Sequence, residues 1–255
     1  MNLLLLEAED FRADGTAELQ GRAARHVREV LRAQVGDRLR VGHSGGPVGT
    51  AQVVRFEADK VVLRVQLDGT PPARPEVDVL LALPRPKALR RLLASAAALG
   101  VDRLVLLNAA RVEKSYFLSP VLSAARRASA LREGLEQARD TVAPEVHLFE
   151  RFRPFVEDSL EAFLGPGTRL LLDAGPEPVT PHLPAEGRVA LAIGPEGGWV
   201  PFERELLTAR GFVPASFGPR TLRVEAVLPY ALGWLAGCRA EAAKRGRVST
   251  SASVS

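Results

Sequence analysis

Two arginines and a glutamate lie close together at the entrance to an apolar segment near the end of the chain. In "FGPRTLRVEA" (217–226), Arg220 and Arg223 flank an uncharged pair, and Glu225 follows Arg223 by two positions. A guanidinium group keeps its charge and donates paired hydrogen bonds, so it can stabilise an anion or hold a phosphate. A carboxylate beside it can orient the guanidinium or accept a proton. The spacing predicts anion stabilisation at a helix entrance, with a plain arginine–glutamate ion pair as the alternative.

A glycine-rich turn precedes this segment in "AIGPEGGWVPFERE" (192–205). A phosphate loop needs Gly-Lys-Ser/Thr, but Trp199 follows Gly198, and the glycine spacing also differs from the dinucleotide-binding fingerprint. Glycines allow positive φ and close backbone approach, so main-chain N–H and C=O groups can contact the edge of a flat ligand such as adenine. The turn predicts one wall of a binding site for such a ligand, with a purely structural turn as the alternative. We interpret Glu196 within it as shaping the turn rather than as a catalytic acid.

The elements that must position these segments alternate between apolar strands and amphipathic helices. Apolar runs typical of buried strands lie at 77–83, 102–107, 145–149, 168–175 and 188–194. A helix with leucines at helical spacing is predicted between the first two runs, ending at Gly100, and another over 120–139. This alternation predicts an α/β fold with a mainly parallel sheet and helices on its faces. Ligands of such sheets bind outside the carboxyl ends of the strands, which is where both motifs lie.

The first 70 residues predict a separate β-rich unit, because the proline-rich stretch "DGTPPARPE" (68–76) is suited to a linker. Its apolar runs lie at 2–6, 38–42, 48–56 and 60–67. One helix interrupts them, with Val27, Val30 and Leu31 on a single face. Its remaining surface carries Arg22, Arg25, Arg28 and Arg32. Short strands without catalytic groups are typical of a barrel-like binding module, and a structural cap is the alternative.

The composition favours a polyanionic partner. The chain has 255 residues and a net charge of +4, its pI is about 9.7, and basic residues outnumber acidic ones over 84–140. The single cysteine, Cys238, excludes an intrachain disulfide framework, and the scattered histidines predict no metal site. No apolar stretch is long enough for a membrane helix, so a cytoplasmic enzyme is expected. The small, polar and basic residues 244–255 predict a disordered tail.

Taken together, these motifs resemble the bacterial small-subunit ribosomal RNA methyltransferase E family of the SPOUT superfamily, which methylates nitrogen-3 of a uridine in 16S ribosomal RNA. The similar segments are "EVLRAQVGDRL" (29–39), "PRPKALRRLLASAAALGV" (84–101), "EQARDTVAPEV" (136–146), "IGPEGGWVPFERE" (193–205) and "FGPRTLRVEA" (217–226). The chain departs from the family pattern at Ala98, where an acidic residue is usual, at Trp199 and Val200, which replace a common Phe-Ser, and at Val224, which replaces a threonine. The last change puts any role of that hydroxyl in doubt.

The resemblance implies a SPOUT-type methyltransferase domain over 71–243, whose C-terminal chain forms a trefoil knot. A small PUA-like β-barrel domain that binds RNA would precede it at 1–70. The family also implies a homodimer in which knot helices pack across the two-fold axis. Leu228, Leu232 and Leu235 are spaced for that contact, and equally for a core within one chain.

The resemblance further implies S-adenosylmethionine as methyl donor and assigns roles to individual residues. Cofactor binding is expected from Leu172, Asp173, Gly175, Ile193, Gly194, Pro195, Glu196, Gly197, Gly198, Phe217, Gly218, Arg220, Thr221 and Leu222. Arg223 is expected to stabilise the uracil anion or a flanking phosphate, and Glu225 to orient Arg223 or accept the proton; water is another possible acceptor. RNA binding is expected from Arg22, Arg25, Arg28, Arg32, Lys87 and Arg139.

Two other functions are compatible with the residues. A non-catalytic RNA-binding or ribosome-assembly protein could keep the β unit and the basic helices without transferring a methyl group. A SPOUT methyltransferase could also act on another RNA position, such as a ribose hydroxyl or a guanine. The pattern along the whole chain, rather than any single residue, favours uracil.

Overall fold

The computed structural model describes residues 2–175, 177–179, 181 and 183–252, with the backbone alone from 246. The chain forms two compact units, which we call the β unit (residues 1–73 and 131–143) and the α/β unit (residues 74–130 and 144–255). The proline-rich linker therefore lies at the boundary, as predicted. The inclusion of 131–143 in the β unit was not predicted, because only tertiary contacts show it. In those contacts the backbone N–H of Leu3 donates to Glu136 O at 3.0 Å, and Arg132 pairs with Glu7 at 2.5 Å.

The β unit is built on a five-stranded sheet. Its strands are β1 (Leu4–Leu6), β2 (Thr16–Gln20), β3 (Arg38–His43), β4 (Val48–Phe56) and β5 (Lys60–Gly69), in the order β1-β3-β4-β5-β2. The pairing of β1 with β3 is parallel, and the other pairings are antiparallel. A 3₁₀ turn (Ala8–Asp10) follows β1, and helix α1 (Gly21–Arg25) continues into a π turn (His26–Val30). Four of these strands match the predicted runs, and β2 was missed.

The predicted apolar face of the α1 segment is only partly correct. Val27 is fully buried, but Val30 is 65% exposed and Leu31 is 37% exposed. The cause is the π turn, in which the N–H of Leu31 bonds to His26 O, five residues back. The extra residue in this turn rotates the following side chains away from the face expected for an α-helix.

The α/β unit alternates strands and helices, as predicted. Its strands are β6 (Val77–Ala82), β7 (Arg103–Leu107), β8 (Glu145–Phe149), β9 (Thr168–Leu172), β10 (Pro178–Val179), β11 (Val189–Ile193) and β12 (Val213–Phe217). Its helices are α2 (Pro86–Ala98), α3 (Ala124–Ala138, which ends in the β unit), α4 (Phe152–Pro154), α5 (Leu160–Leu164), α6 (Pro201–Ala209) and α7 (Val224–Ala252). Shorter turns are the 3₁₀ segments Lys114–Leu118 and Pro120–Leu122 and the π turn Phe155–Ser159.

The seven strands form one sheet in the order β10-β12-β9-β11-β6-β7-β8. Among the described residues of this sheet, only the β10–β12 pairing is antiparallel, which confirms the predicted mainly parallel sheet. β9 lies between β12 and β11, so the loops that follow Leu172, Ile193 and Phe217 leave the same edge of the sheet side by side. Those loops carry the glycine turn and the arginine-containing segment of the sequence analysis.

A network of ion pairs links the amino ends of the strands, on the side of the sheet opposite these loops. Asp78 is fully buried and accepts hydrogen bonds from Arg103 at 2.7 and 2.5 Å and from Arg188 at 3.0 Å. Hydrogen bonding to Asp78 raises the pKa of Arg103. Arg188 also reaches Asp102, which pairs with Arg74 at 2.5 Å. Because each charge is paired, burying Asp78 does not leave an uncompensated carboxylate, and the edge away from the candidate site is held fixed.

Helix α7 is longer than predicted. Residues 244–252 continue it, so the prediction of a disordered tail was wrong over that range, and residues 253–255 lie outside the described part. The alanines, arginines and lysine of 239–247 are good helix formers, which favours continuation. Leu228, Leu232 and Leu235 are all less than a tenth exposed within the single chain, so they belong to its core. Within the described residues, no helix combines the length and apolar character needed to cross a bilayer.

Candidate functional site

A cavity of about 270 Å³ opens at the carboxyl ends of β9, β11 and β12. Three loops line it together with the first turn of α7. The lining residues are Leu172, Asp173, Ala174, Ile193, Gly194, Pro195, Glu196, Gly197, Gly198, Trp199, Phe217, Gly218, Arg220, Thr221, Leu222, Val224 and Val227. The cavity occupies the position at which open α/β sheets bind their ligands.

The glycine turn is packed so tightly at Gly194 that a side chain would require Trp199 or the turn to shift. A Cβ at this position would lie 3.0 Å from Trp199 Nε1 and 3.1 Å from its Cδ1. The indole itself is 2% exposed and packs against Phe152, with ring centroids 5.7 Å apart, so it has little room to move. Gly198 has φ of +72°, a left-handed backbone conformation that residues other than glycine rarely adopt. The turn therefore presents bare backbone to the cavity, as the sequence predicted.

Ion pairs and hydrogen bonds hold the turn from outside the cavity. Arg111, from the loop after β7, donates to Gly197 O, and Arg85 lies 3.4 Å from a carboxylate oxygen of Glu196. Asp173 lines the cavity, accepts from the N–H of Ala174 at 2.9 Å and pairs with Arg204 at 2.8 Å. Glu196 is thus held at the turn by an arginine, in agreement with its interpretation as a turn-shaping residue.

One buried donor at the cavity has no partner among the described residues. The indole N–H of Trp199 is inaccessible to water and makes no hydrogen bond. The cavity is otherwise lined by apolar side chains and glycine backbone, together with the polar residues Asp173, Glu196, Arg220 and Thr221. A ligand with a flat heterocycle and a polar hydroxyl-bearing portion fits this donor set, because stacking against apolar walls and bonding to backbone groups require no metal or phosphate loop.

The predicted cofactor-binding residues come together at this cavity, with one exception. All of them line it except Gly175, whose N–H instead lies 3.4 Å from Gly218 O. A Cβ at Gly175 would lie 3.0 Å from Ser216 Oγ, so this glycine is needed for close packing beside the cavity. The sequence analysis missed Ala174, Trp199, Val224 and Val227 as lining residues. Trp199 was visible there only as a departure from the family pattern.

The two predicted catalytic residues lie beside the cavity but do not line it. Arg223 is exposed and directly precedes α7, between the lining residues Leu222 and Val224. Glu225 is half-buried and lies 3.7 Å from Arg91 on α2. Among the described residues no ion pair joins Arg223 to Glu225, which differs from the pairing proposed from their spacing. Arg223 precedes the first residue of α7, and its exposed side chain forms no ion pair among the described residues.

The predicted RNA-binding residues are mostly solvent-accessible. Those that are exposed are Arg22, Arg25, Arg32, Lys87 and Arg139. Arg28 differs, because it donates to the carbonyl oxygens of Glu57, Ala58 and Lys60. Its guanidinium also lies 5.3 Å from the ring centroid of Phe56. Arg28 is therefore a structural contact of the β unit rather than a free cation.

Glu203 is a buried carboxylate that the sequence analysis did not identify. It is 2% exposed, and its oxygens accept from the backbone N–H of Ala110 at 2.7 Å and of Val200 at 3.0 Å. The carboxylate caps the N-terminus of α6 and joins the glycine turn to the loop after β7. A glutamate three positions into a helix that starts with proline is the sequence signal of such a cap.

We expect Glu203→Gln to lower the free energy of unfolding by about 1–2 kcal/mol, because the amide has a single acceptor oxygen for two buried N–H groups and lacks the charge that favours a helix N-terminus. Chemical denaturation measures this change. Glu205→Gln, an exposed position on the same helix, is the matched control and should be neutral. Equal stability of the two variants would show that the cap does not hold these loops.

The cavity at the carboxyl edge of a mainly parallel sheet, walled by glycine backbone and flanked by arginines, places the chain among α/β enzymes that act on anionic substrates. The model of a family described as the RNA methyltransferase domain matches residues 71–236. The class of protein is therefore an RNA methyltransferase, and similar sequences identify the family within that class.

The chain belongs to the ribosomal RNA small subunit methyltransferase E family. A member from Treponema pallidum is 32% identical, covering 88% of this chain and 86% of its own. Another from Mycobacterium tuberculosis is 29% identical, covering 85% of this chain and 84% of its own. This confirms the family indicated by the sequence motifs.

Solved structures share the fold. A methyltransferase from Legionella pneumophila, solved with its bound cofactor SAM, has a TM-score of 0.75 at 24% identity, covering 92% of this chain and 96% of its own. A ribosomal RNA small subunit methyltransferase E from Neisseria gonorrhoeae, bound to S-adenosyl methionine, has a TM-score of 0.72 at 19% identity, covering 92% of this chain and 96% of its own. These likenesses support the mixed α/β methyltransferase fold.

Proposed function

We propose that the chain transfers the methyl group of S-adenosylmethionine to nitrogen-3 of a specific uridine in small-subunit (16S) ribosomal RNA. The observation that carries this proposal is the cavity itself. Segments that are far apart in sequence and carry the family's motifs form its walls, and almost every residue expected to bind the cofactor lines it. Members of the family are named for methylating small-subunit ribosomal RNA.

The cavity would hold S-adenosylmethionine through backbone groups of the three loops. The bare turn at Gly194 and Gly198 suits close approach of an adenine edge, and the carboxylate of Asp173 suits a ribose hydroxyl or an ammonium group. When bound, the cofactor supplies an electrophilic methyl group on its sulfonium.

The residues beside the cavity must make uracil nitrogen-3 nucleophilic. This nitrogen carries an imide proton, and its lone pair becomes reactive only as that proton leaves. We assign Arg223 to stabilise the negative charge that develops on the uracil, or its flanking phosphate, because the guanidinium is exposed beside the cavity and keeps its charge. Glu225 either accepts the proton or positions neighbouring arginines, and its contact with Arg91 supports the second role.

The substrate uridine must be unpaired or flipped out, since nitrogen-3 lies on the Watson–Crick edge. We assign RNA backbone binding to the exposed cations of the two units, Arg22, Arg25, Arg32, Lys87 and Arg139. Arg28 is left out of this set because its guanidinium is already bound to carbonyl oxygens.

We expect RNA affinity to fall steeply with salt, and we expect an Arg22→Gln/Arg25→Gln variant to reduce the salt slope by about 0.7–0.9 for each phosphate contact that is lost. Filter binding of small-subunit ribosomal RNA at several salt concentrations measures the slope. Arg55→Gln is the matched control, because Arg55 is exposed but pairs with Glu57 at 2.7 Å. An unchanged slope in the double variant would remove this helix from the RNA surface.

The finer architecture is also part of the proposal. We propose a trefoil knot in the methyltransferase domain over 71–243, a PUA-like barrel over 1–70 that grips RNA, and a homodimer. The mainly parallel sheet and the loops gathered around the cavity support the first, and the five-stranded sheet supports the second. Since Leu228, Leu232 and Leu235 are buried within one chain, a dimer would use the exposed side of α7, which carries Tyr230. Ribosomal RNA as substrate implies action in the cytoplasm.

Mass mapping of small-subunit ribosomal RNA from cells lacking this protein tests the assignment of substrate and position together. We expect the loss of one 3-methyluridine and of no other modification. Loss of a ribose methyl group or of a methylguanosine would instead show a different target for the same fold.

A further inference from the structure

A second cavity of about 260 Å³ lies in the α/β unit, beyond the carboxyl end of β7. It is lined by Asn108, Ala109, Ala110, Val112, Lys114 and Phe152. None of these residues lines the candidate cofactor cavity. The loop that forms it was not singled out by the sequence motifs.

The polar groups of this cavity match a nucleotide. Asn108 donates from its Nδ2 to Glu150 O at 3.1 Å, which fixes the amide, and no described residue donates to its Oδ1. That oxygen can accept from an imide or amino N–H of a base edge. Lys114 is exposed and forms no ion pair among the described residues, so its ammonium can reach a phosphate. Phe152, Ala109 and Val112 form the apolar floor of the cavity, and each is less than a tenth exposed, so a base would contact only their exposed edges.

The second cavity shares a wall with the cofactor cavity. Phe152 lines one and Trp199 lines the other, and their ring centroids are 5.7 Å apart. The loop that forms the second cavity is fixed to the glycine turn twice, by Ala110 N–H to Glu203 at 2.7 Å and by Arg111 to Gly197 O. The aromatic pair separates the two spaces, so a base in the second cavity would lie next to the cofactor cavity without entering it.

We propose that the second cavity binds an unpaired nucleotide of the ribosomal RNA that flanks the target uridine. This inference rests on the proposed function, since it needs an RNA strand at the cofactor cavity. Asn108 reads an N–H on the edge of the flanking base, the apolar floor contacts the edge of its ring, and Lys114 holds the phosphate. The site helps to place the strand, so that the next nucleotide lies beside the cofactor cavity.

Asn108→Ala and Lys114→Gln test the inference without touching the cofactor cavity. We expect each to weaken RNA binding and raise KM for RNA by about 3–10-fold, as loss of one hydrogen bond or phosphate contact would. The Kd for S-adenosylmethionine should stay at the wild-type value, because neither side chain lines the cofactor cavity. Lys114→Gln should also lower the salt slope of RNA binding by about 0.7–0.9. Lys244→Gln, which removes an exposed charge on α7, is the matched control.

RNA affinity is measured directly, so this test of the second cavity does not depend on whether the enzyme transfers a methyl group. Wild-type RNA affinity and salt slope in both variants would overturn the inference, whether or not the enzyme is active. Failure of the wild type to transfer a methyl group would overturn the proposed function instead. Uridine 5′-monophosphate is titrated separately: if both variants lose its binding yet keep wild-type RNA affinity, the cavity is a site for free nucleotides and the inference is wrong.

Discussion

Arg223→Ala is expected to lower kcat for methyl transfer by about 10²–10³-fold, the usual effect of removing one donor that stabilises a developing anion. The Kd for S-adenosylmethionine should be unchanged, because the Arg223 side chain does not line the cofactor cavity. Single-turnover transfer from labelled cofactor to undermethylated small subunits measures the rate, and calorimetry measures cofactor binding. This split between rate and cofactor affinity separates a catalytic role from a structural one.

Two other charged residues provide the controls for Arg223. Arg245→Ala removes an exposed arginine from α7, far along the helix from Arg223, and should leave kcat at the wild-type value. Glu225→Gln should also slow transfer while keeping cofactor affinity, and a changed pH–rate profile in this variant would identify Glu225 as the proton acceptor. If Arg223→Ala has wild-type kcat, Arg223 does not stabilise the uracil anion.

Gly194→Ala is expected to weaken S-adenosylmethionine binding by about 10–100-fold, because overpacking a tight site commonly costs 1–3 kcal/mol. The added methyl would contact the buried indole of Trp199 at 3.0 Å, so the turn must move away from the position that contacts the cofactor. Calorimetric titration with S-adenosylmethionine measures the change in Kd.

Trp199→Phe provides a rescue for this effect. The phenyl ring lacks the indole nitrogen nearest to Gly194 but keeps a ring carbon near the position of Cδ1, so the double variant Gly194→Ala/Trp199→Phe should recover part of the lost affinity. Trp199→Phe alone should bind the cofactor nearly as well as the wild type, apart from what the indole N–H contributes. A double variant no better than Gly194→Ala would show that the indole is not what excludes a side chain at position 194.

Much of the fold could be predicted because periodicity reflects burial. The continuous apolar runs became parallel strands buried on both faces, and Gly100 ends α2 with φ of +73°. β2 was missed because "TAELQ" alternates polar and apolar residues over only a short stretch. The π turn at His26–Val30 and the grouping of 131–143 with the β unit depend on backbone pairing and tertiary contacts that no local pattern records.

In the candidate site, too, the features set by local backbone constraints could be predicted, and those set by tertiary contacts could not. The glycines of the turn could be predicted because glycine is strongly favoured at the positive φ of Gly198 and at the close approach of Gly194 to Trp199. The pairing of Glu225 with Arg91 could not, since it joins helices far apart in sequence. Glu203 was hidden for a related reason: its second partner, Ala110, lies in another loop. The residue roles, the knot and the dimer remain predictions.

Transfer of labelled methyl from S-adenosylmethionine to small ribosomal subunits from cells lacking this protein tests the central claim most directly. After digestion of the RNA to nucleosides, the account predicts that the label appears in 3-methyluridine alone, at close to one methyl group for each subunit. Label in a ribose methyl group or in guanine, or no transfer by purified protein that binds the cofactor, would contradict it.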